Sequence, residues 1–162
     1  MRIVCWLLLL PLLLLAGCAA QPAFPDAPVD VAPMPYRVAA DGARWLDREV
    51  LWGGMVLDVR NFENHSEVEV LAFPLDRRQA PTPHAADQGR FIALLPGFAD
   101  PATLPEGRFV TLTGRITGER RGTLHTRSYL WPEVDVGRLH LWPEDFRERR
   151  TRVAIGIGIG IH

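Results

Sequence analysis

Residues 109–118 read FVTLTGRITG, and this stretch decides the fold. Val110, Leu112 and Ile116 recur at every second or fourth position, which is the period of a strand with one buried face. Gly114 stands among them, where a strand bends sharply or bulges. With Gly107 ahead of it, the pattern is Gly-x-φ-Val-Thr-φ-x-Gly-x-φ, in which φ is apolar. This pattern is typical of closed five-stranded barrels, because the glycine lets one strand serve both halves of a curled sheet.

Further strand patterns lie on both sides, separated by Gly, Pro, Asn and Asp turns. A short turn or lead-in strand is predicted over Arg44–Trp52, ending at Gly53-Gly54. The other predicted strands are Met55–Arg60, Glu67–Phe73, Arg90–Leu95, Thr123–Trp131 with a break at Pro132, and Arg138–Trp142. The fold predicted is therefore mainly β, a small antiparallel barrel of five to seven strands. It is like the oligonucleotide/oligosaccharide-binding (OB) barrel, and a β-sandwich is the alternative.

The amino-terminal stretch LLLLAGCAAQPAF, residues 12–24, indicates a membrane signal. Ile3–Ala16 is an apolar run of 14 residues, shorter than the roughly 17 to 25 that span a bilayer. Arg2 before it and small residues after it are typical of a secretory signal peptide over residues 1–17. Leu15 to Cys18 resembles the bacterial lipobox, in which a cysteine is acylated and becomes the first residue. Cys18 is thus the predicted lipidation site.

The cysteine count agrees with lipidation. Only Cys5 and Cys18 exist, so removal of residues 1–17 leaves Cys18 without a disulfide partner. A protein acylated there is tethered to the bilayer by its lipid chains. Ala19 follows the cysteine in place of the aspartate that resembles an inner-membrane retention signal. We therefore expect a lipid anchor in the outer membrane, with the domain facing the periplasm.

The mature chain divides into three predicted parts. Residues 18–43 hold the acylated cysteine and a proline-rich tether, extended enough to lift a domain roughly 50 Å from the membrane. Residues 44–150 form the β-barrel domain. Residues 151–162 alternate isoleucine with glycine, as a terminal strand would, or as a tail through which the protein self-associates.

Charge excludes one class of partner. The basic residues of the chain are arginines, 17 of the 18 lie after Cys18 with all 19 acids, and the mature charge is 17 − 19 = −2. This balance gives no electrostatic reason to expect nucleic acid.

Residues with catalytic or metal-binding chemistry do not form a known pattern. His65, His84, His125, His140 and His162 lack the spacing of metal ligands, and Ser66 and Ser128 lie outside a nucleophile motif. The acid pairs Glu67/Glu69, Glu133/Asp135 and Glu144/Asp145 look like the solvent faces of strands and turns. We therefore predict no catalytic residue, no metal and no cofactor, hence no enzyme.

The aromatic residues leave two interpretations open. Trp52, Tyr129, Trp131 and Trp142 lie in or beside predicted strands. Packing in the core or at its rim is the ordinary role of such rings. The alternative is a site that stacks the sugar rings of an envelope glycan or contacts a lipid.

Several short motifs together resemble the Slp (starvation-inducible) outer-membrane lipoproteins of Gram-negative bacteria. They are Trp52-Gly53-Gly54, Glu69-Val70, Pro74-Leu75, Gly89-Arg90-Phe91, Gly97-Phe98, Asp100-Pro101, Gly107-Arg108, Val110-Thr111, Gly114 and Leu141-Trp142-Pro143. The resemblance implies an outer-membrane lipoprotein linked to stress physiology, and it supplies no catalytic residues. We expect a non-catalytic structural or protein-interaction role in the cell envelope, with glycan or lipid binding as the alternative.

Overall fold

The strand that contains Gly114 runs through both halves of a closed barrel in the computed structural model, which describes residues 21–27 and 33–146. Its elements are the helix α1 (Pro35–Ala40), a 3-10 turn (Gly42–Arg44), and the strands β1 (Glu49–Asn61), β2 (His65–Ala72), β3 (Arg90–Pro96), β4 (Phe109–Leu124) and β5 (Arg127–Leu141). The order β1-β2-β3-β5-β4 closes on itself. This five-stranded Greek-key barrel is the predicted OB-like fold, and the sandwich alternative is wrong.

Four of the five strand pairs are antiparallel, as predicted. The fifth is parallel and short, joining Ile92–Leu94 of β3 to Glu133–Asp135 of β5. The prediction of an entirely antiparallel barrel is corrected on this point. β4 separates β3 from β5 in sequence, so β5 returns in the direction of β3 when it closes the barrel.

Irregular pairing marks the predicted bend. The β4–β5 register shifts between Thr113 and Gly114, and again between Ile116 and Gly118. An added Cβ at Gly114 would lie 2.6 Å from a methyl group of Val134. The predicted bulge at Gly114 is confirmed by the register shift, and the glycine also permits the close approach of the two strands there.

Two predicted boundaries are wrong because both fall inside long strands. Gly53-Gly54 lies in the middle of β1, where each glycine pairs with β4. Pro132 lies within β5 opposite Glu119. Proline is tolerated there because β3 pairs only with the residues from Glu133 onwards, which leaves β5 an edge without a backbone partner.

Side chains from the inner faces of the strands fill the barrel. Those that are 2% exposed or less include Val56, Val70, Phe91, Leu112, Ile116 and Val134. A second, smaller cluster at one side of the barrel contains Phe73, Ala80, Phe109, Trp142 and Phe146. Every second residue of β4 from Val110 to Ile116 thus faces the core, except that glycine replaces a side chain at 114.

The amino-terminal segment departs from the predicted tether. Residues 21–27 lie on the barrel, where Phe24 is 6% exposed, and Val38 of α1 is fully buried in the core. The described residues of 18–43 therefore pack on the domain instead of extending away from it. The predicted signal peptide at 1–17, Cys18 and the tail at 151–162 lie outside the described residues.

Candidate functional site

For four aromatic residues the sequence left both packing and ligand stacking open. Two of them, Trp52 and Trp142, pack inside the protein. Trp52 is 4% exposed; its indole N–H donates to the carbonyl oxygen of Pro33 at 2.8 Å, and its ring lies 5.1 Å from that of Phe91. Trp142 is 7% exposed and donates to Thr111 Oγ1 at 2.9 Å. Because each indole has both its face and its N–H occupied within the protein, neither ring offers a stacking surface.

Trp131 and Tyr129 lie together, with ring centroids 4.6 Å apart. Trp131 is 8% exposed and donates to Glu69 Oε1 at 3.0 Å. The hydroxyl of the half-buried Tyr129 accepts the backbone N–H of Arg90 at 2.9 Å. The structure thus joins these two residues and separates them from Trp52 and Trp142, so the four do not form one exposed aromatic site.

A network of charges lies beside this pair on the outer face of β2. Glu67 is only 5% exposed, although its alternation with valine predicts a solvent face. Arg120 of β4 donates to both its carboxylate oxygens, at 2.5 and 2.6 Å, and also pairs with Glu133 at 2.7 Å. Glu69 pairs with Arg90 at 2.9 Å. The outward direction of the two acids is confirmed; their exposure is corrected, because another element covers them.

The hydrogen bonds from Arg120 hold the pKa of Glu67 below its ordinary value, and the same contact raises the pKa of Arg120. Both groups therefore stay ionised at neutral pH. Arg60 adds a further positive charge 3.5 Å from Glu67. This carboxylate is fully committed to structural ion pairs, which leaves it unsuited to act as a general base.

The element that covers β2 is the far part of the β4–β5 hairpin, residues 118–131. Proteins of this fold commonly bind polymers on the face of strands 2 and 3, between the loops that follow strands 1 and 4. Here Arg120, Trp131 and Tyr129 of the hairpin contact that face through Glu67, Glu69 and the backbone of Arg90. The usual ligand face is thus occupied by the protein itself.

A second set of contacts fixes the amino-terminal segment to the barrel. We call it the anchor junction; it joins Ala23, Phe24 and Asp26 to Arg78, Gln79 and Arg138. Gln79 accepts the backbone N–H of Phe24 at 2.6 Å and donates to its carbonyl oxygen at 3.0 Å, so one side chain satisfies both backbone groups. Ala23 donates to the carbonyl oxygen of Arg78 at 3.2 Å. Gln79 has φ +62, a left-handed conformation unusual for a side chain of this size.

Charge and ring contacts complete the anchor junction. Arg138 donates to both oxygens of Asp26, at 2.9 and 3.1 Å, and its guanidinium carbon lies 4.9 Å from the ring centroid of Phe24. The hydrogen bond from Arg138 lowers the pKa of Asp26. His140 meets Phe24 edge-on at 6.4 Å, and burial lowers its pKa. At neutral pH His140 is therefore an uncharged ring that packs.

A hydrogen-bonded chain connects the anchor junction to the core. Trp142 donates to the hydroxyl of Thr111, which donates in turn to the carbonyl oxygen of Gln79 at 2.7 Å. Gln79 then binds Phe24 as described. The position of the amino-terminal segment is thus tied to β4, the strand that organises the barrel.

Two open clefts flank the anchor junction. One, of about 620 Å³, is lined by Gln21, Pro22, Arg78, His140, Trp142 and Phe146 among others. The other, of about 500 Å³, is lined by charged residues of which Asp26 and Arg138 pair at 2.9 Å and Glu49 and Arg115 at 3.5 Å. The first cleft has a mixed lining that includes the rings of His140, Trp142 and Phe146 and one arginine, Arg78. In the second cleft the two arginines are both paired, and Asp135 adds a third carboxylate.

No group of three metal-binding side chains occurs within residues 21–27 and 33–146. Ser66, one of the two serines considered, is fully buried and its Oγ accepts the backbone N–H of Ala99 at 2.8 Å. None of the described helices is both long and apolar enough to cross a bilayer. Within the described residues, the charge network on β2 and the anchor junction therefore consist of packing contacts, hydrogen bonds and ion pairs.

Sequence reasoning missed Arg120, Gln79 and Phe24. Arg120 follows another charged residue near a predicted turn, and its partner lies 53 residues away. Gln79 and Phe24 are 55 residues apart, in a loop and a proline-rich segment. The one local signal was the position of a lone phenylalanine among small and polar residues, which favours a docked segment over a solvated spacer.

Comparison with known proteins identifies relatives for most of the chain. The family model described as outer membrane lipoprotein Slp family matches residues 15–157. The chain is 31% identical over 134 residues to the uncharacterized lipoprotein YeaY of Escherichia coli K12, covering 80% of this chain and 67% of that protein. It is 32% identical over 98 residues to outer membrane protein Slp of the same strain, covering 60% of this chain and 52% of the relative.

An uncharacterized protein of Haemophilus influenzae is 29% identical over 96 residues, covering 59% of this chain and 52% of that protein. The chain thus spans about half the length of two of these relatives. Among solved structures, a small single-stranded DNA-binding protein from Streptomyces coelicolor aligns with a TM-score of 0.35 and 16% identity. It covers 59% of this chain and 94% of its own.

Proposed function

The chain belongs to the outer membrane lipoprotein Slp family, and from this premise we propose that its barrel has a non-catalytic structural or protein-interaction role in the envelope. It is a lipid-anchored protein of the outer membrane. In this proposal the acyl chains are carried by Cys18 and the domain faces the periplasm. A link to stationary-phase or stress physiology is part of it, and equal protein levels in growing and starved cells would contradict that link.

One observation carries the non-catalytic role: the outer face of β2 is covered by the protein's own hairpin. Arg120 binds both oxygens of Glu67, and Trp131 uses its indole N–H on Glu69. A polymer could reach this face only after these partly buried bonds were broken. The face therefore serves the stability of the barrel.

Exposed aromatic side chains at one end of the barrel support a protein partner. Phe98 is 74% exposed and Phe62 is 48% exposed, stacked on His65 with centroids 4.9 Å apart. Their two loops are joined, because Gly97 donates to the carbonyl oxygen of Asn64 at 3.1 Å. Neighbouring exposed rings on fixed loops are typical of protein-interaction surfaces.

The alternative, binding of an envelope glycan or lipid through aromatic rings, has less support. It required Trp52, Trp131 and Trp142 to be accessible, and each is less than 9% exposed. Tyr129 is half-buried and keeps its hydroxyl on a backbone amide. A panel of glycans and phospholipids should accordingly leave the tryptophan fluorescence of the protein unchanged.

The anchor proposal is tested by Cys18→Ala in cells. We expect unprocessed precursor and loss of the protein from outer-membrane fractions, because the acylated sulfur is gone; intact mass and fractionation measure both. Cys5→Ala is the matched control and should leave processing normal, since Cys5 lies in the predicted signal peptide. A Cys18→Ala protein with the mature mass and the normal location would overturn the proposal.

The partner proposal is tested by a photo-crosslinking residue placed at Phe98 in cells, with Thr126 at the hairpin tip as the control position. A specific protein adduct at Phe98 and none at Thr126 is expected, since the exposed rings lie at the Phe98 end. Equal labelling at both positions would contradict a defined partner surface.

A further inference from the structure

The anchor junction holds the chain very close to its predicted lipid. Ala23 and Phe24 are bonded to Arg78 and Gln79, on the turn Asp76–Ala80. Cys18 lies five residues before Ala23, which is at most about 18 Å of fully extended chain. An acylated cysteine sits at the membrane surface, so this turn lies within that distance of the headgroups.

The turn itself is rigid. Asp76 Oδ1 accepts the backbone N–H groups of Arg78 at 2.8 Å and Ala80 at 2.9 Å, and Leu75 forms a bridge to Pro81. The backbone N–H of Gln79 donates to the carbonyl oxygen of Asp76 at 2.8 Å. These bonds fix the backbone of the turn, on which Arg77 and Arg78 are exposed to solvent.

Arg77 and Arg78 are exposed, and neither has an acidic partner within 4 Å among the described residues. Among the described residues, six other arginines each contact a carboxylate, namely Arg60, Arg90, Arg108, Arg115, Arg120 and Arg138. Guanidinium groups left without a partner suit phosphate, to which they donate in a planar fork.

An open cleft of about 620 Å³ lies beside the turn, with Gln21, Pro22 and Arg78 among its lining residues. Arg78 therefore lies next to the segment that leads to Cys18. Chain length and charge thus point to one surface.

We propose that the turn Asp76–Ala80 docks on the leaflet that holds the acyl chains of Cys18, with Arg77 and Arg78 bound to phospholipid phosphates. This rests on the proposed acylation of Cys18 and goes beyond it, because it orients the barrel. The lipid chains and the two arginines then form two contacts with one bilayer, and the end that carries Phe62 and Phe98 is left for a protein.

The test uses the acylated protein in vesicles of phosphatidylethanolamine mixed with phosphatidylglycerol, read by hydrogen exchange. We expect residues 21–27 and 76–80 to exchange more slowly in these vesicles than in detergent. Arg77→Gln/Arg78→Gln should reduce the docked-to-undocked ratio about 30-fold, from the usual attraction of two arginines to an anionic surface. Arg121→Gln/Arg127→Gln, on the exposed hairpin tip, is the matched control and should keep the protection.

Two further measurements test the role of charge and the folding of the variants. Phosphatidylcholine vesicles, or raised salt, should remove the protection, since both weaken the attraction to an anionic surface. The exchange of β1 and β4 serves as a folding control and should not change in either variant. Equal exchange of residues 76–80 in vesicles and detergent, or protection that survives Arg77→Gln/Arg78→Gln, would overturn the docking.

Intact mass of the same samples separates the two proposals. An acylated protein whose turn stays unprotected overturns the docking and leaves the anchor standing. A protein without acyl chains overturns the anchor and the docking together.

Discussion

At the residue scale, the sequence predicts the outward direction of the Glu67 side chain correctly but predicts its exposure wrongly. It alternates with valine on β2 and points outward, as the pattern predicts. The bidentate contact of Arg120 nevertheless buries it to 5% exposure. A charge buried in this way is destabilising without its partner, so it should be sensitive to substitution.

We expect Glu67→Gln to lower the free energy of unfolding by about 2 kcal/mol at pH 7, since bonds to a charged group are lost. The pKa of Glu67 is lowered by folding. Its contribution is therefore present above the ordinary glutamate pKa of about 4.3 and fades as pH falls through the lower folded pKa. Urea unfolding of both proteins across the acid range measures this.

Glu63→Gln is the control for that experiment, because Glu63 is exposed in the β1–β2 turn and should change stability by no more than about 0.5 kcal/mol. A Glu67→Gln deficit that persists undiminished in strong acid would show that the ion pair with Arg120 is not its cause.

Glycine positions give a second test at this scale. A Cβ at Gly54 would collide with the backbone of Leu71 and Ala72 in the neighbouring strand, whereas one at Gly118 would lie 3.4 Å from the flexible side chain of Glu133. We expect Gly54→Ala to destabilise the barrel by about 3 kcal/mol and Gly118→Ala to be nearly neutral. Thermal unfolding compares them, and equal midpoints would contradict the close strand approach at Gly54.

At the element scale, the amino-terminal segment behaves as an added edge of the barrel. The side chain of Gln79 forms hydrogen bonds with the backbone N–H and carbonyl groups of Phe24, which a neighbouring strand would pair in a sheet. Arg138 holds the next turn of the segment through Asp26. The proline content that predicted an extended spacer is real, but polar groups of the barrel bind the backbone between those prolines.

Gln79→Ala should release this segment, because the backbone groups of Phe24 lose both partners. Two hydrogen bonds of about 1 kcal/mol each favour docking, so protease cleavage near residues 21–27 should rise about tenfold or more. Gln88→Ala is the matched control, since the backbone groups of Phe24 are bound by Gln79 and not by Gln88. Unchanged cleavage in Gln79→Ala would show that other contacts hold the segment.

The long β4–β5 hairpin is the element that sequence reasoning divided. The sequence predicted strands over Thr123–Trp131 and Arg138–Trp142 with a break at Pro132. Both bounds are wrong, because β4 ends at Leu124 inside the first predicted strand and β5 runs through Pro132 from Arg127 to Leu141. A proline next to an unpaired edge does not interrupt a strand, and whether an edge is unpaired depends on where β3 ends.

At the scale of the whole molecule, the anchor junction limits how far the barrel can lie from the acyl chains proposed on Cys18. A free tether of residues 18–43 would have allowed a separation of roughly 50 Å. Docking of residues 21–27 leaves only the few residues before Gln21 as a spacer. We therefore expect partners to reach the protein within the outer part of the periplasm.

The isoleucine-glycine tail, residues 151–162, bears on the oligomeric state of the protein. Its alternation of isoleucine with glycine predicts either a terminal strand of the domain or a tail that pairs with a second copy, and only the second alternative predicts self-association. Removal of Val153 to His162 should convert an oligomer to a monomer in detergent, as measured by light scattering. A monomer in both forms would end this prediction.

The sequence by itself determined the lipid-anchor signal, the strand faces and the barrel class, because all three depend on local order: small residues before a cysteine, two-residue periodicity, and glycine at a bend. Only the tertiary structure decided that Trp52, Trp131 and Trp142 are packed, that Glu67 is buried under Arg120, and that Gln79 binds Phe24. These contacts join residues from 19 to 62 positions apart, and the closing of the barrel is what brings them together.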